Sequence, residues 1–297
     1  MNPSAPASSG AAALRQFASV FKLRIGVAIT LNALAGMAIM PGTMPGGWQA
    51  FLLALAVLAS SAAAGAFNQY AERDLDARMA RTATRPFVTG AFAPSLLWPL
   101  LIVAMLAAAV AVAAVATNVM AALYVFLGAV TYGVIYTVWL KRRSWLNIVI
   151  GGLAGSFAVL AGAAAVDPGL SPQAIILAVV LFLWTPPHFW SLAIALKDDY
   201  AAAGVPMLPV VAGNKVAAVA SLAHTALLVP LSLLPLIYGM NWIYGICAGV
   251  GGALFLVRNV QLVQFPDKPH ALTNFKASLV QVSLLLVGTI VDKLLFG

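Results

Sequence analysis

Residues 48–86 read WQAFLLALAVLASSAAAGAFNQYAERDLDARMARTATRP. Some twenty apolar and small residues run without a charge to Asn68. Glu72, Asp74 and Asp76 then arrive together with Arg73, Arg78, Arg81 and Arg85. An uncharged run of that length is about what a helix needs to cross the hydrocarbon core of a bilayer. The chain has only eight carboxylates in 297 residues, so three of them at the end of one apolar segment require a reason.

Working outward, the same apolar texture fills the chain. Hydrophobic residues make up 63% and charged residues 8%, with a mean hydropathy of +0.99, which excludes an ordinary soluble domain. Nine segments are long and apolar enough to span, at about 20–40, 48–72, 95–116, 119–140, 145–166, 172–196, 215–238, 242–258 and 274–296. All nine are expected to be helices, because lipid offers the backbone no other hydrogen-bond partners. The fold class is therefore all-α, a polytopic membrane protein with a nine-helix bundle as a single domain over 20–297. The small, polar start MNPSAPASSGAAA predicts a disordered cytoplasmic tail over 1–19. Cys247 is the sole cysteine, which rules out an intrachain disulfide and a thiolate metal cluster.

The net charge of +8 is scattered between spans and forms no face for nucleic acid. With the amino terminus in the cytoplasm, fifteen of the sixteen Lys and Arg residues fall on the cytoplasmic side and only Lys293 lies outside. Trp48, Trp98, Trp139, Trp145 and Trp242 fall near span ends, as an interfacial belt requires. Glu72 to Asp76 and the pair Asp198 and Asp199 then emerge on the same face. That arrangement does not fit an inverted-repeat transporter.

If the second span continues past the lipid boundary, Asn68, Glu72 and Asp76 lie at i, i+4 and i+8 on one stripe. A row of oxygen ligands suits Mg²⁺, which is commonly shared between carboxylates and a substrate phosphate. The bland alternative is a solvated cluster neutralised by its arginines. Asp74 points away and is expected to pair with Arg78. Arg81, Arg85, Lys141, Arg142, Arg143 and Lys197 flank the same mouth and could grip phosphate oxygens, or serve only as topology signals. Acids and bases around an apolar cavity point to a ligand with an anionic head and a greasy tail, such as an isoprenyl diphosphate or a phospholipid.

The sixth span carries WTPPHFWSLA from Trp184. Pro186 and Pro187 each remove a helix donor, so a kink is expected there. His188 is a deeply placed ionisable group, which in a membrane span is a functional candidate by default. It could ligate haem iron, orient an acceptor, or bond a freed carbonyl.

These residues resemble the intramembrane prenyltransferases of the UbiA superfamily. NQYAERDLDARMARTATRP, LKRRSWLNIVIGGLAG, TPPHFWSLA and DDYAAAGVPMLPV are similar to its protohaem IX farnesyltransferase branch, over about Phe21 to the end of the chain. Two features depart from that pattern. Ala195 stands where other members usually carry the first Asp of D-x-x-x-D, and SFAVLAGAAA lacks a Pro-Pro pair.

The resemblance implies transfer of a farnesyl group from farnesyl diphosphate to the vinyl group of haem b, with addition of water and release of pyrophosphate. It implies Mg²⁺ held by Asn68, Glu72, Asp76, Asp198 and Asp199, which are also the catalytic set. Arg81, Arg85, Lys141, Arg142, Arg143, Lys197, His188 and Tyr200 are implied in substrate binding. A bacterial cytoplasmic (inner) membrane is the implied setting, with the amino terminus and mouth cytoplasmic and the carboxyl terminus outside. Membrane lipid surrounds the bundle, and haem A synthase or terminal-oxidase assembly factors are the implied downstream partners. A quinone-precursor acceptor, or a transporter of anionic amphiphiles, are the alternatives.

Overall fold

A computed structural model describes residues 10–297, and among these the chain is helical without a β-strand. The first segment is broken. Helix α1 (Gly10–Val20) meets α2 (Leu23–Ala38) at an angle of 47°, and the two together make one bent span. Then come α3 (Gly47–Ala71), the short α4 (Arg73–Asp76) and α5 (Pro86–Thr89), α6 (Leu97–Ala116), and α7 (Val119–Val130). Helix α7 runs on as a π-helix over Thr131–Leu140. The second half has α8 (Asn147–Gly151), α9 (Leu153–Val166), α10 (Pro172–Ala195), α11 (Lys197–Ala202), α12 (Leu208–Ala212), α13 (Asn214–Leu233), α14 (Trp242–Gln264) and α15 (Lys268–Phe296). Among the described residues, eight helices are long and apolar enough to cross a membrane, or nine with the bent pair counted as one.

Several expectations are corrected. Gly10–Val20 is helical, so the tail predicted over 1–19 is not irregular throughout; residues 1–9 lie outside those described. The helix forms because its apolar residues gather on one face, as a surface helix requires. The eighth span continues to Gln264 instead of ending near 258, and the ninth begins at Lys268 instead of near 274. Apart from these corrections, α10 passes through Pro186 and Pro187 as one continuous helix.

Helix starts follow ordinary capping chemistry. Asn118, Ser171 and Asp267 each accept a hydrogen bond from the third residue beyond, with Pro172 and Pro269 in the first turns of α10 and α15. The start of α14 is capped from another span. The Asp292 carboxylate on α15 accepts from the Asn241 and Tyr244 backbone N–H groups at 2.8 and 3.0 Å.

Helices α2, α3, α6, α7 and α9 pack as one group and α10, α13, α14 and α15 as another, joined where α9 meets α10 and α2 meets α15. The tightest approach is between α2 and α9. A Cβ on Gly36 would strike the Val159 backbone, and one on Gly162 would strike the Ala33 carbonyl. Small residues at a membrane helix crossing permit this contact, because association there depends on close packing more than on burial from water.

Candidate active site

The acidic row sits where α3 ends. Glu72 leaves the helical region (φ −101°, ψ 11°), yet its N–H still reaches the Asn68 carbonyl at 3.0 Å, and the Asp76 N–H reaches the Glu72 carbonyl at 2.8 Å. The i, i+4 geometry therefore survives the break between α3 and α4. Asn68, Glu72 and Asp76 are 2%, 1% and 2% exposed, which rules out a solvated charge cluster.

Carboxylates so deeply buried require compensation, and each has a cation. Asp76 Oδ2 pairs with Arg85 at 2.6 Å, and Glu72 Oε2 with Lys141 at 2.5 Å. Asn68 Oδ1 accepts from Lys22 Nζ at 2.6 Å, while its Nδ2 donates to Thr137 Oγ1 at 2.9 Å. Lys22 also donates to the Tyr132 hydroxyl at 2.9 Å. Its own backbone is left-handed at φ 49°, an uncommon conformation for a residue with a side chain. The chain thus bends between α1 and α2 where Lys22 turns inward.

The π-helix supplies the facing wall. Thr137 Oγ1 donates to the Tyr132 carbonyl five residues back, and the Lys141 N–H to that of Tyr136. This wider spacing is typical of functional segments. Tyr132 and Tyr136 stack at 5.6 Å, and Lys22 and Lys141 lie over their respective rings at 5.5 and 5.7 Å.

The second acidic tip approaches the first through its neighbour. Tyr200 on α11 is buried beside Arg81, and Leu75 and Met79 share one apolar cluster with Tyr200, Ala203, Val205 and Met207. Burial pushes the Tyr200 hydroxyl above its usual pKa, with Arg81 pulling the other way. Asp198 is exposed and Asp199 half-buried; neither makes an ion pair among the described residues.

Three cationic candidates stand apart. Arg142 forks onto Asp74 at 2.7 and 2.8 Å, correcting the expected Asp74–Arg78 pair, because the loop after the π-helix lies across α4. Arg142 holds the Asp74 carboxyl down to about pH 2. Arg143 turns back onto the Val138 and Trp139 carbonyls. Lys197 is half-buried without an ion pair among the described residues.

A depressed carboxyl pKa stabilises the fold above the unfolded value, about 3.9 for Asp, and that gain is lost as pH falls toward the folded value. Asp74 and Arg142 are well exposed, so Asp74→Asn is expected to change stability by less than about 1 kcal/mol at pH 7. Thermal unfolding in detergent measures the difference, which should shrink below pH 4.

His188 lies deeper, about 13 Å along α10 from Lys197 at 1.5 Å per residue. Its ring is stacked between Trp184 and Phe275 at 4.3 and 4.5 Å, and Nδ1 sits 2.6 Å from Ser278 Oγ. The sequence reading missed Lys22, Tyr132, Tyr136 and Thr137. It also missed Asn147, fully buried with neither amide atom bonded.

The donor set fits a hard divalent cation. Glu72 Oε1 is buried without a hydrogen-bond partner, one helical turn from Asn68 and from Asp76, and carboxylate and amide oxygens are the ligand type Mg²⁺ takes. No three His, Cys, Asp or Glu side chains among the described residues converge to hold an ion by themselves. Any such ion would therefore share its coordination with a ligand or water.

Comparison with known proteins places the chain. A model of the UbiA prenyltransferase family matches residues 29–283. Protoheme IX farnesyltransferase 2 of Paramagnetospirillum magneticum is 58% identical over 284 residues, covering 96% of this chain and 99% of that one. A solved digeranylgeranylglyceryl phosphate synthase shares the fold at a TM-score of 0.79 and 18% identity, over 95% of this chain and 99% of the other. A UbiA homologue from Archaeoglobus fulgidus, solved bound to DMAPP and Mg²⁺, does so at 0.69 and 17%, over 91% and 99%. This multi-pass membrane chain belongs to the UbiA prenyltransferase family.

Proposed function

We propose that the protein transfers the farnesyl group of farnesyl diphosphate to the vinyl group of haem b, with addition of water, giving haem O and pyrophosphate. The observation that carries this reading is the buried acidic row at the end of α3, met by the half-buried cations Lys22, Arg85 and Lys141. Such a site favours an anionic head group whose chain extends into an apolar bundle. The acceptor is supported by the 58% identity to a protoheme IX farnesyltransferase over nearly the full chain.

Asn68, Glu72 and Asp76, with Asp198 and Asp199 on the facing tip, would hold Mg²⁺. When bound, the ion supplies charge neutralisation for the diphosphate. Lys22, Arg81, Arg85 and Lys141 hold the pyrophosphate oxygens as negative charge builds on them during cleavage of the allylic C–O bond. Fixed charges aimed at developing charge act most strongly where water is excluded. The Tyr132 and Tyr136 rings face the resulting allylic cation and stabilise it without attacking it. Trp184, His188 and Phe275 form a flat stack suited to the edge or face of a tetrapyrrole. The mouth faces the cytoplasm of a bacterial inner membrane, in keeping with the distribution of Lys and Arg.

A side-by-side assay tests this. Purified protein given farnesyl diphosphate and Mg²⁺ is expected to release pyrophosphate with haem b and not with 4-hydroxybenzoate. Release with the hydroxybenzoate alone would reassign the acceptor, and release with neither would remove the enzymatic reading.

A further inference from the structure

Deep in the second helix group lies a polar row that the mechanism above leaves unused. Asn274, Ser278 and Gln281 are spaced i, i+4 and i+7 on one face of α15, and none is more than 1% exposed. Asn274 Nδ2 donates to Ser191 Oγ on α10 at 2.8 Å and to Asn259 Oδ1 on α14 at 3.2 Å. Ser278 Oγ donates its single proton to the Phe275 carbonyl at 2.7 Å. His188 Nδ1 must therefore be the donor in the 2.6 Å contact with that hydroxyl, and Nε2 keeps its lone pair.

The row is incompletely paired. Asn274 Oδ1 and both amide atoms of Gln281 are buried without a hydrogen-bond partner. Unpaired buried polar atoms are costly and call for an occupant. No α14 side chain fills that need beside Gln281, because the facing residue is Gly251, whose added Cβ would stand 3.1 Å from the Gln281 Cα. Two acceptors and one donor, lined up beside a hydroxyl, match a molecule that both donates and accepts.

We infer that the Asn274–Gln281 row holds the water that hydrates the prenylated acceptor, an inference that rests on the farnesyl transfer proposed above. Once farnesyl C1 bonds to the terminal vinyl carbon, the positive charge lies on the vinyl carbon attached to the pyrrole. The held water donates an oxygen lone pair to that carbon and forms the C–O bond. The proton it releases goes to His188 Nε2, and the product is the neutral alcohol.

The test is the ratio of hydroxylated haem product, identified by mass spectrometry, to pyrophosphate released, in Gln281→Leu and Gln281→Ala. With the water no longer positioned, the cation loses a proton to give a product lighter by one water. The ratio is expected to fall by about tenfold or more relative to the parent. A parental ratio in either variant, whatever its rate, overturns the assignment. Loss of all pyrophosphate release in both variants also overturns it, since a water reserved for the second step is not needed for the first. A parent that releases no pyrophosphate with haem b refutes the transfer reading itself, an outcome visible before any variant is made.

Discussion

Asp76→Ala is expected to lower prenyl transfer by about 10²- to 10³-fold or more, the scale seen when one preorganised electrostatic group is removed, while the protein still inserts. Asp76 is 2% exposed, and its carboxylate is the partner of Arg85 at 2.6 Å. Its loss removes an oxygen from the acidic row and frees Arg85 to move, so the diphosphate loses an anchor on both counts. Arg85 is 18% exposed and can turn toward water, so the fold tolerates the change better than a sealed ion pair would. Pyrophosphate release measures the loss, and elution as a single species in detergent checks the fold. Near-parental turnover would remove Asp76 from the site. Lys141→Met should be harsher on folding, because it leaves Glu72, at 1% exposed, without its cation.

Gly162→Ala is expected to lower stability by about 1–3 kcal/mol, the usual cost of forcing extra volume into a packed core. The new methyl would meet the Ala33 carbonyl and the Met37 nitrogen, which are backbone atoms that no rotamer change can move aside. The α2 and α9 axes must separate, disturbing the apolar cluster of Ala33, Met37 and Ala161. Gly249→Ala is the matched control. It lies inside α14 with nothing within 4 Å of the added Cβ, so the better helix propensity of alanine should leave it neutral or raise stability by up to about 1 kcal/mol. Thermal unfolding of the two variants in the same detergent separates the effects. Equal shifts would show that the α2–α9 contact is slack.

Reading the sequence recovered most of the spans, because an uncharged run of about twenty residues has one stable outcome in lipid. The acidic stripe was legible for a related reason, since a spacing of four is conserved along any helical path, even across the break at Glu72. Lys22 was hidden. It reads as one more positive charge on the inner side, and only the left-handed turn that aims it at Asn68 and Tyr132 reveals another role. Thr131–Leu140 looks like an ordinary apolar span, and nothing in TYGVIYTVWL announces the wider winding that brings Lys141 onto Glu72. Asp74 was assigned a partner four residues away, whereas the pair it makes spans 68 positions. Local spacing cannot anticipate a contact that loop placement decides.

The Asp292 carboxylate bears on how this protein can be handled. It stands a few residues from Gly297, yet it secures the opening turn of a different helix, at Asn241 and Tyr244. An affinity tag or reporter fused after Gly297 therefore needs a spacer that leaves the final turn of α15 undisturbed. A premature stop codon ahead of Asp292 would do more than shorten one helix, because it would unfasten its neighbour from the opposite end of the hairpin.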